Sequence, residues 1–439
     1  MNSSDRRWWP ILTLVLAVLG STAMVYYYLG LFMPRVLEAH AANNLAGGYD
    51  FGHDFYPIWV TSRDCLRRGC DLYGPEMTSE IQRGLFGRVL DSRIPSDPPP
   101  DYRTFAYPAF TDLLFWPAAR FPFATVRVVV VVLLAALTVM SVFLWANALA
   151  WRPGPLLLAA VALLVLCSYP VLEGLYAGQL GLLVGFLLAG SVYALQRGRL
   201  ALAGIIMAVA AIKPQMTVLA AVYLLIWASY KWRDRARYCV GLTSAILVLS
   251  GTALLVWPHW VEAWLRVLFG YHAYAGGPLA GEIFGLGPHL GGTASLGTIA
   301  LLVALALSWN KRKASPNSPE FWLTLGLLLC ITTVALLPSQ GFQDQVILLP
   351  GIFVVLYRWR ELSFGWIRKA LLATAGAVLL WPWLAASGLL VLRPLMTPQV
   401  FYSKAAFALP VRTAPVFPFV LFGVLALAFR HPSPRPPNS

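Results

Sequence analysis

Residues 11–33 read ILTLVLAVLGSTAMVYYYLGLFM, without one charged side chain. At about 1.5 Å of rise per residue, a helix of this length covers the roughly 30 Å hydrocarbon core of a bilayer. Arg6 and Arg7 stand before it, as they would in a signal peptide. The apolar run exceeds the roughly 7–15-residue core of such peptides, and no small-residue cleavage site follows, so the reading is a retained first span. A mean hydropathy of +0.67 over 439 residues, 59% hydrophobic and only 12% charged, excludes an ordinary soluble domain.

Working outward from this span, apolar stretches recur near 11–33, 124–150, 154–171, 179–196, 200–212, 215–229, 237–257, 295–309, 320–337, 345–357, 366–390 and 414–429. The expectation is an all-α polytopic membrane protein with about twelve transmembrane helices in one integral domain, residues 1–430. Several stretches are shorter than the ~20 residues a straight span needs, so they must tilt, break or be sheltered by protein. With the N-terminus inside, the inner connections carry Arg152, Arg197 and Arg199, Lys231 to Arg237, Lys311 to Lys313, and Arg358 to Lys369. The short outer connections carry few basic residues, which satisfies the positive-inside rule. The net charge of +14 is thereby spent on the membrane surface and asks for no nucleic acid. The Pro-rich tail, residues 431–439, is expected to be disordered and cytoplasmic.

Between the first two spans lies a polar insertion, Pro34 to Arg103, within a longer extracytoplasmic loop, residues 34–122. It contains Tyr49-Asp50-Phe51-Gly52-His53-Asp54-Phe55-Tyr56-Pro57-Ile58-Trp59. Asp54 resembles a helix N-cap, Pro57 suits a first turn, and Phe55, Ile58, Trp59, Ser62 and Leu66 follow helical spacing up to Gly69. This predicts an amphipathic helix along the membrane surface. Tyr107 to Phe121 is apolar, yet counting it as a span would put every later basic cluster outside. It is read as a re-entrant or interfacial segment bounded by Pro108, Pro117 and Pro122.

This topology delivers polar residues from separate loops to one outer face: Asp50, Asp54, Glu173, Gln179, Lys213, Gln343 and Asp344. Each alone is explained as a cap, an anchor or a buried hydrogen bond; together they suggest a site, because ionisable groups near lipid are costly. The six histidines lack ligand spacing with acids or cysteines, so neither a metal nor any other cofactor is expected. Cys65 and Cys70 can pair in an oxidising periplasm or remain free. Cys167, Cys239 and Cys330 read as packing.

Asp54-Phe55-Tyr56, Gly69-Cys70-Asp71-Leu72-Tyr73, Tyr107-Pro108, Gly178-Gln179, Ile212-Lys213-Pro214 and the late Asp344 resemble glycosyltransferase family 87, a group of polyprenol-phosphate-mannose-dependent mannosyltransferase-like enzymes. The resemblance spans residues 50 to 350 in order and spacing. It implies a GT-C architecture with short surface helices in the first extracytoplasmic loop. It also implies an inverting transfer of a sugar, mannose or a related hexose, from a polyprenyl-phosphate donor to an extracytoplasmic glycan or glycolipid acceptor. The cell inner (plasma) membrane is then the location.

The chemistry can be argued beside the resemblance. A phosphate leaving group needs no general acid at its oxygen; the reaction needs a carboxylate to take the acceptor's proton and a cation for the departing phosphate. Asp54 or Asp50 can be that base, and Lys213 is the candidate phosphate cation. Tyr56, Tyr107, Glu173, Gln179, Gln343 and Asp344 are candidate substrate contacts. No soluble nucleotide-binding fold is legible, which argues against a nucleotide-sugar donor. A transporter or flippase of lipid-linked sugars is the rival reading, but inverted repeats and midplane polar residues, its usual marks, are not visible.

Overall fold

The computed structural model describes residues 5–285, 290–362 and 366–430. The Pro-rich tail, residues 431–439, lies outside them, as do His289 and the side chains of Arg6, Arg7 and Leu66. The described residues are mainly helical, the longest non-helical stretch being 87–109, and there is no strand among them.

Among the described residues, six helical segments are long and apolar enough to cross a membrane: Trp8–Ala41, Phe123–Ala148, Trp232–Val256, Thr293–Lys311, Arg368–Leu395 and Ala405–Ala428. A seventh candidate is a pair, Pro155–Leu166 and Tyr169–Ala177, bent by 56° at its break. The other expected spans correspond to shorter apolar helices: Gly181–Gln196, Leu200–Ala210, Pro214–Tyr230, Pro319–Ala335 and Phe342–Tyr357. Proline sets many of these boundaries. Pro155, Pro170, Pro214 and Pro319 each stand in a first turn, where the missing N–H costs nothing and the ring fixes a helical φ.

The bundle's outside is consistent with lipid. Along Phe123–Ala148, Val126, Val130, Leu134, Thr138 and Trp145 are buried. Val128, Val129, Val132 and Leu133 on the same helix are all more than half exposed, an apolar surface that water would not tolerate but a bilayer covers. Inside, small residues allow helices to touch. A Cβ on Gly204 would lie 2.2 Å from the Tyr238 carbonyl oxygen, and one on Gly241 would lie 2.2 Å from that of Ala201. Leu200–Ala210 and Trp232–Val256 therefore pack backbone to backbone, the arrangement small residues permit between membrane helices.

The first loop folds as expected in outline and differs in detail. Tyr56–Arg68 is helical and ends at Gly69, whose φ of 68° is left-handed. Phe55, Ile58, Trp59 and Ser62 are all buried. They pack against protein, however: the helix contacts Phe110–Phe115 and Trp116–Arg120, and the Trp59 indole donates to the Phe121 carbonyl at 3.0 Å. Tyr107 to Phe121 is thus no span but a short helix and a 3₁₀ turn that cover the apolar face of Tyr56–Arg68. The buried Asp112 joins the two, accepting from the Thr61 and Ser62 hydroxyls at 2.8 Å each. Burial pushes its carboxyl up to about 6, against the pull of those two hydroxyls. A further helix, Pro75–Phe86, follows, and a Cys65–Cys70 disulfide ties the end of the first helix to the loop beyond it.

The basic connections meet. Arg235 lies over the Trp227 ring and approaches the Arg312 carbonyl, while Arg312 and Lys313 both lie over Tyr230. Lys213 stands at the opposite end of Pro214–Tyr230, whose 17 residues separate it from this cluster by about 25 Å.

Candidate active site

The site is built on a broken helix. Tyr169–Ala177 stops at Gly178, left-handed at φ 71°, and Gly181–Gln196 begins three residues later. The last carbonyls of a helix have no donor within it. Here the first loop supplies them: Gly52 N–H donates to the Tyr176 carbonyl at 2.8 Å and Asp54 N–H to that of Ala177 at 2.9 Å. Two segments more than 120 residues apart in the chain are thereby docked through backbone, and Asp54 is brought to Gln179.

Around Asp54 the side chains form a connected network. Gln179 Nε2 donates to Asp54 Oδ2 at 2.9 Å, and the Tyr107 hydroxyl donates to Gln179 Oε1 at 2.9 Å. The Tyr73 hydroxyl in turn donates to the Tyr107 carbonyl at 2.8 Å. Arg103 donates to Asp54 Oδ1 at 2.6 Å and also to the Gly48 carbonyl. Its guanidinium lies over the rings of Tyr49 and Tyr102, and its backbone holds a left-handed φ of 69°. The Asp54 side chain keeps 17% exposure. Burial alone would raise its carboxyl, but the charges of His53 (protonated in the acid range where a carboxyl titrates), Arg103 and Lys213 prevail and hold it below the usual range, which favours the carboxylate form.

The expectation that Asp54 caps the helix is overturned. The N-cap of Tyr56–Arg68 is Phe55, and no side chain caps it. The physical reason is competition: both Asp54 carboxylate oxygens are taken by charged or amide donors from distant segments, which outweigh a local amide.

Deeper in the site, Lys213 Nζ sits 2.7 Å from both oxygens of Asp344. The two side chains are only 8% and 3% exposed. Asp344 lies so close to the start of Gly181–Gln196 that a Cβ on Gly181 would be 2.2 Å from its Oδ1; only glycine admits the carboxylate there. Lys213, the candidate phosphate cation, thus already has a counter-ion in Asp344. Glu173 lies beside Tyr169 and the Gln343 backbone, within electrostatic reach of Asp54 and Asp344. Glu173 Oε2 and Gln343 Oε1 are buried and receive no hydrogen bond from the described residues.

The structure thus gathers Asp54, Tyr107, Glu173, Gln179, Lys213, Gln343 and Asp344 into one neighbourhood. It leaves out two candidates. The Asp50 carboxylate is 60% exposed, accepts the N–H of Phe51 at 2.7 Å and faces Arg127 at 3.8 Å. Tyr56 packs its ring on Trp59 and Phe123, and its hydroxyl meets Gly84, where a Cβ would come within 1.8 Å. Two groups beside Asp54 were not foreseen. Arg103 carries no motif; the aromatic neighbours Tyr49 and Tyr102 are its only trace in sequence. His53 was dismissed because it lacks metal-ligand spacing, although standing next to the candidate base was itself a signal. Its Nε2 is 3.4 Å from Asp54 Oδ1, and burial lowers its basicity although Asp54 opposes this. Among the described residues no cluster of His, Cys, Asp and Glu could hold a metal.

Comparison with known proteins agrees with this architecture. No curated protein and no solved structure gives a significant match. The family model described as glycosyltransferase family 87 matches residues 105–339, more than half of the 439-residue chain. That match takes in Tyr107, Glu173, Gln179 and Lys213, while Asp54 and Arg103 precede it and Asp344 follows it. The chain, an all-helical protein with several membrane-length helices, therefore belongs to glycosyltransferase family 87 and is a membrane glycosyltransferase.

Proposed function

We propose that the enzyme transfers a sugar, mannose or a related hexose, from a polyprenyl-phosphate donor to a glycan or glycolipid acceptor on the extracytoplasmic face of the inner membrane, with inversion and on a GT-C-type scaffold. The observation that carries this reading is Asp54: an ionised, mostly buried carboxylate oriented by Arg103 and Gln179 at the end of a broken helix. In a single displacement Asp54 takes the proton of the acceptor hydroxyl as its oxygen bonds to the anomeric carbon. The anomeric C–O bond breaks, and its electron pair leaves on the phosphate oxygen. One base and no covalent nucleophile suffices, which is the logic of inversion.

Asp54 is preferred to Asp50 because the latter is open to solvent and already occupied by its own neighbour's N–H. Arg103 supplies positive charge beside it for the phosphate, and Lys213 could add to it only by exchanging Asp344 for the donor. Glu173 and Gln343 retain buried acceptor oxygens that sugar hydroxyls would satisfy. The position of the site, about 25 Å from the basic cluster along one helix, supports an outer face if the basic end is cytoplasmic. The lipid and glycan profile of a deletion strain tests the whole reading. Loss of one glycosylated species with build-up of its unglycosylated precursor is expected; an unchanged profile with altered uptake or export of a lipid-linked sugar would favour a transporter.

A further inference from the structure

We propose that His53 is a proton-holding positioning residue behind Asp54: its Nε2 lone pair receives the proton that Asp54 takes from the acceptor hydroxyl. The inference rests on the reading of Asp54 as the base.

The geometry fixes the tautomer. His53 Nδ1 lies 2.7 Å from the backbone carbonyl of Asp50, and a carbonyl oxygen can only accept, so Nδ1 carries the hydrogen. In the neutral ring Nε2 is then a bare lone pair. That lone pair stands 3.4 Å from Asp54 Oδ1, another acceptor. Two acceptors face each other with no proton between them, an arrangement that is mildly repulsive until a proton arrives and attractive afterwards. The charged and titratable groups around the ring are Asp54 and Asp50 on its own segment, Arg103 from the far end of the loop, and Tyr49 at 6.3 Å between rings. Burial, and after it Arg103, lower the basicity of His53 against the pull of Asp54, which favours the neutral, accepting ring.

The proton balance is complete. The acceptor O–H proton passes to Asp54 Oδ1 as the glycosidic bond forms, and then to Nε2. This gives an imidazolium that still donates through Nδ1 to Asp50 and now donates through Nε2 to a restored carboxylate. Asp54 regains its charge while the phosphate departs with the electron pair of the broken bond. The imidazolium finally loses its Nε2 proton to water as product leaves the site, His53 and Asp54 keeping 12% and 17% of their side chains exposed.

His53→Asn is the discriminating variant, because its side-chain amide can still donate to the Asp50 carbonyl while lacking a basic nitrogen. The measurement needs no known substrate at first. In full-length protein in liposomes, histidine ¹⁵N NMR, assigned by subtracting His53→Asn, is expected to show the Nδ1–H tautomer of His53 at pH 7. Protonation at Nε2 should occur below pH 6.5 and fall lower still in Asp54→Asn, which lacks the carboxylate that stabilises the imidazolium. An Nε2–H tautomer at pH 7, or a titration unmoved by Asp54→Asn, overturns the proposal. In turnover with polyprenyl-phosphomannose and a membrane glycolipid extract, His53→Asn should lower kcat about 10- to 100-fold, the modest end of general acid–base effects. The donor KM should be unchanged and the acid limb of the pH profile should move downward. Wild-type kcat with an unmoved acid limb in His53→Asn, beside an inactive Asp54→Asn, would remove His53 and leave the base in place. Full activity in Asp54→Asn would remove the base reading itself.

Discussion

The Asp54 cluster and the Lys213–Asp344 pair hold the same kinds of charge within one neighbourhood, yet they are built differently. Asp54 and its partner Arg103 keep 17% and 16% of their side chains exposed and are tied to the Gln179 amide, the Gly48 carbonyl and the rings of Tyr49 and Tyr102. Lys213 and Asp344 are sealed at 8% and 3% and are satisfied chiefly by each other. A partly exposed, multiply oriented carboxylate can exchange a partner for a substrate and take up a proton. A sealed pair cannot lose either member cheaply, because the survivor would be an uncompensated buried charge. On the proposed function, the first region is the one suited to chemistry and the second the one suited to architecture.

The largest effect expected from this contrast is on stability. Lys213→Met should destabilise the protein by about 3–5 kcal/mol, the usual cost of breaking a buried pair from one side, seen as a lowered Tm in detergent. Adding Asp344→Leu should restore much of the loss. A Lys213→Met protein with wild-type Tm and impaired donor use would instead return Lys213 to the role of phosphate cation.

Next is Gln179→Leu, which removes the amide orienting Asp54 and the acceptor for Tyr107. A hydrogen bond to a charged group is worth about 1.5–3 kcal/mol, so kcat should fall roughly 10- to 100-fold at saturating donor while Tm moves little. A Tm loss equal to that of Lys213→Met would erase the distinction between the two regions.

Asp112 adds a pH-dependent term. Its carboxyl is pushed up to about 6 in the fold, so the folded chain binds a proton that the unfolded chain has released. Stability is then greatest below the unfolded value and falls as pH rises through about 4–6, by about 3 kcal/mol for two units. Denaturation midpoints across this window should slope downward in wild type and flatten in Asp112→Asn. An unchanged slope would assign the effect elsewhere.

The smallest effect is reserved for Asp50→Asn. Its carboxylate is open and engages its own neighbour's amide, and turnover within about two- to threefold of wild type is expected, below the ~10²-fold minimum for losing a catalytic base. A larger loss would move the base toward solvent.

Much of this was legible in sequence because it depends on local pattern. Apolar runs and prolines marked the helices, Gly69 marked a stop, and Pro108, Pro117 and Pro122 marked a segment that does not cross. The grouping of Asp54, Gln179, Lys213 and Asp344, which the structure brings into one neighbourhood, was expected from the loops that carry them. What was hidden depends on distance along the chain. The partner of Lys213 is 131 residues away, and the donors that draw Asp54 from its capping role are 49 and 125 residues away. Arg103 relies on a left-handed backbone that no motif announces. Tyr56 looked available because Gly84, which makes room for its hydroxyl, is remote. The tautomer of His53 is set by a backbone carbonyl and has no sequence signature.

The central claim, that Asp54 is the base, is tested most directly by single-turnover kinetics of Asp54→Asn with polyprenyl-phosphomannose bound, alongside donor affinity measured on the same preparation. Asn can keep a carbonyl toward Arg103 and a comparable shape, so donor affinity within a few-fold of wild type is expected. The chemical step should slow by about 10²–10⁴-fold. Undiminished single-turnover rate in a folded, donor-binding Asp54→Asn enzyme would contradict the account.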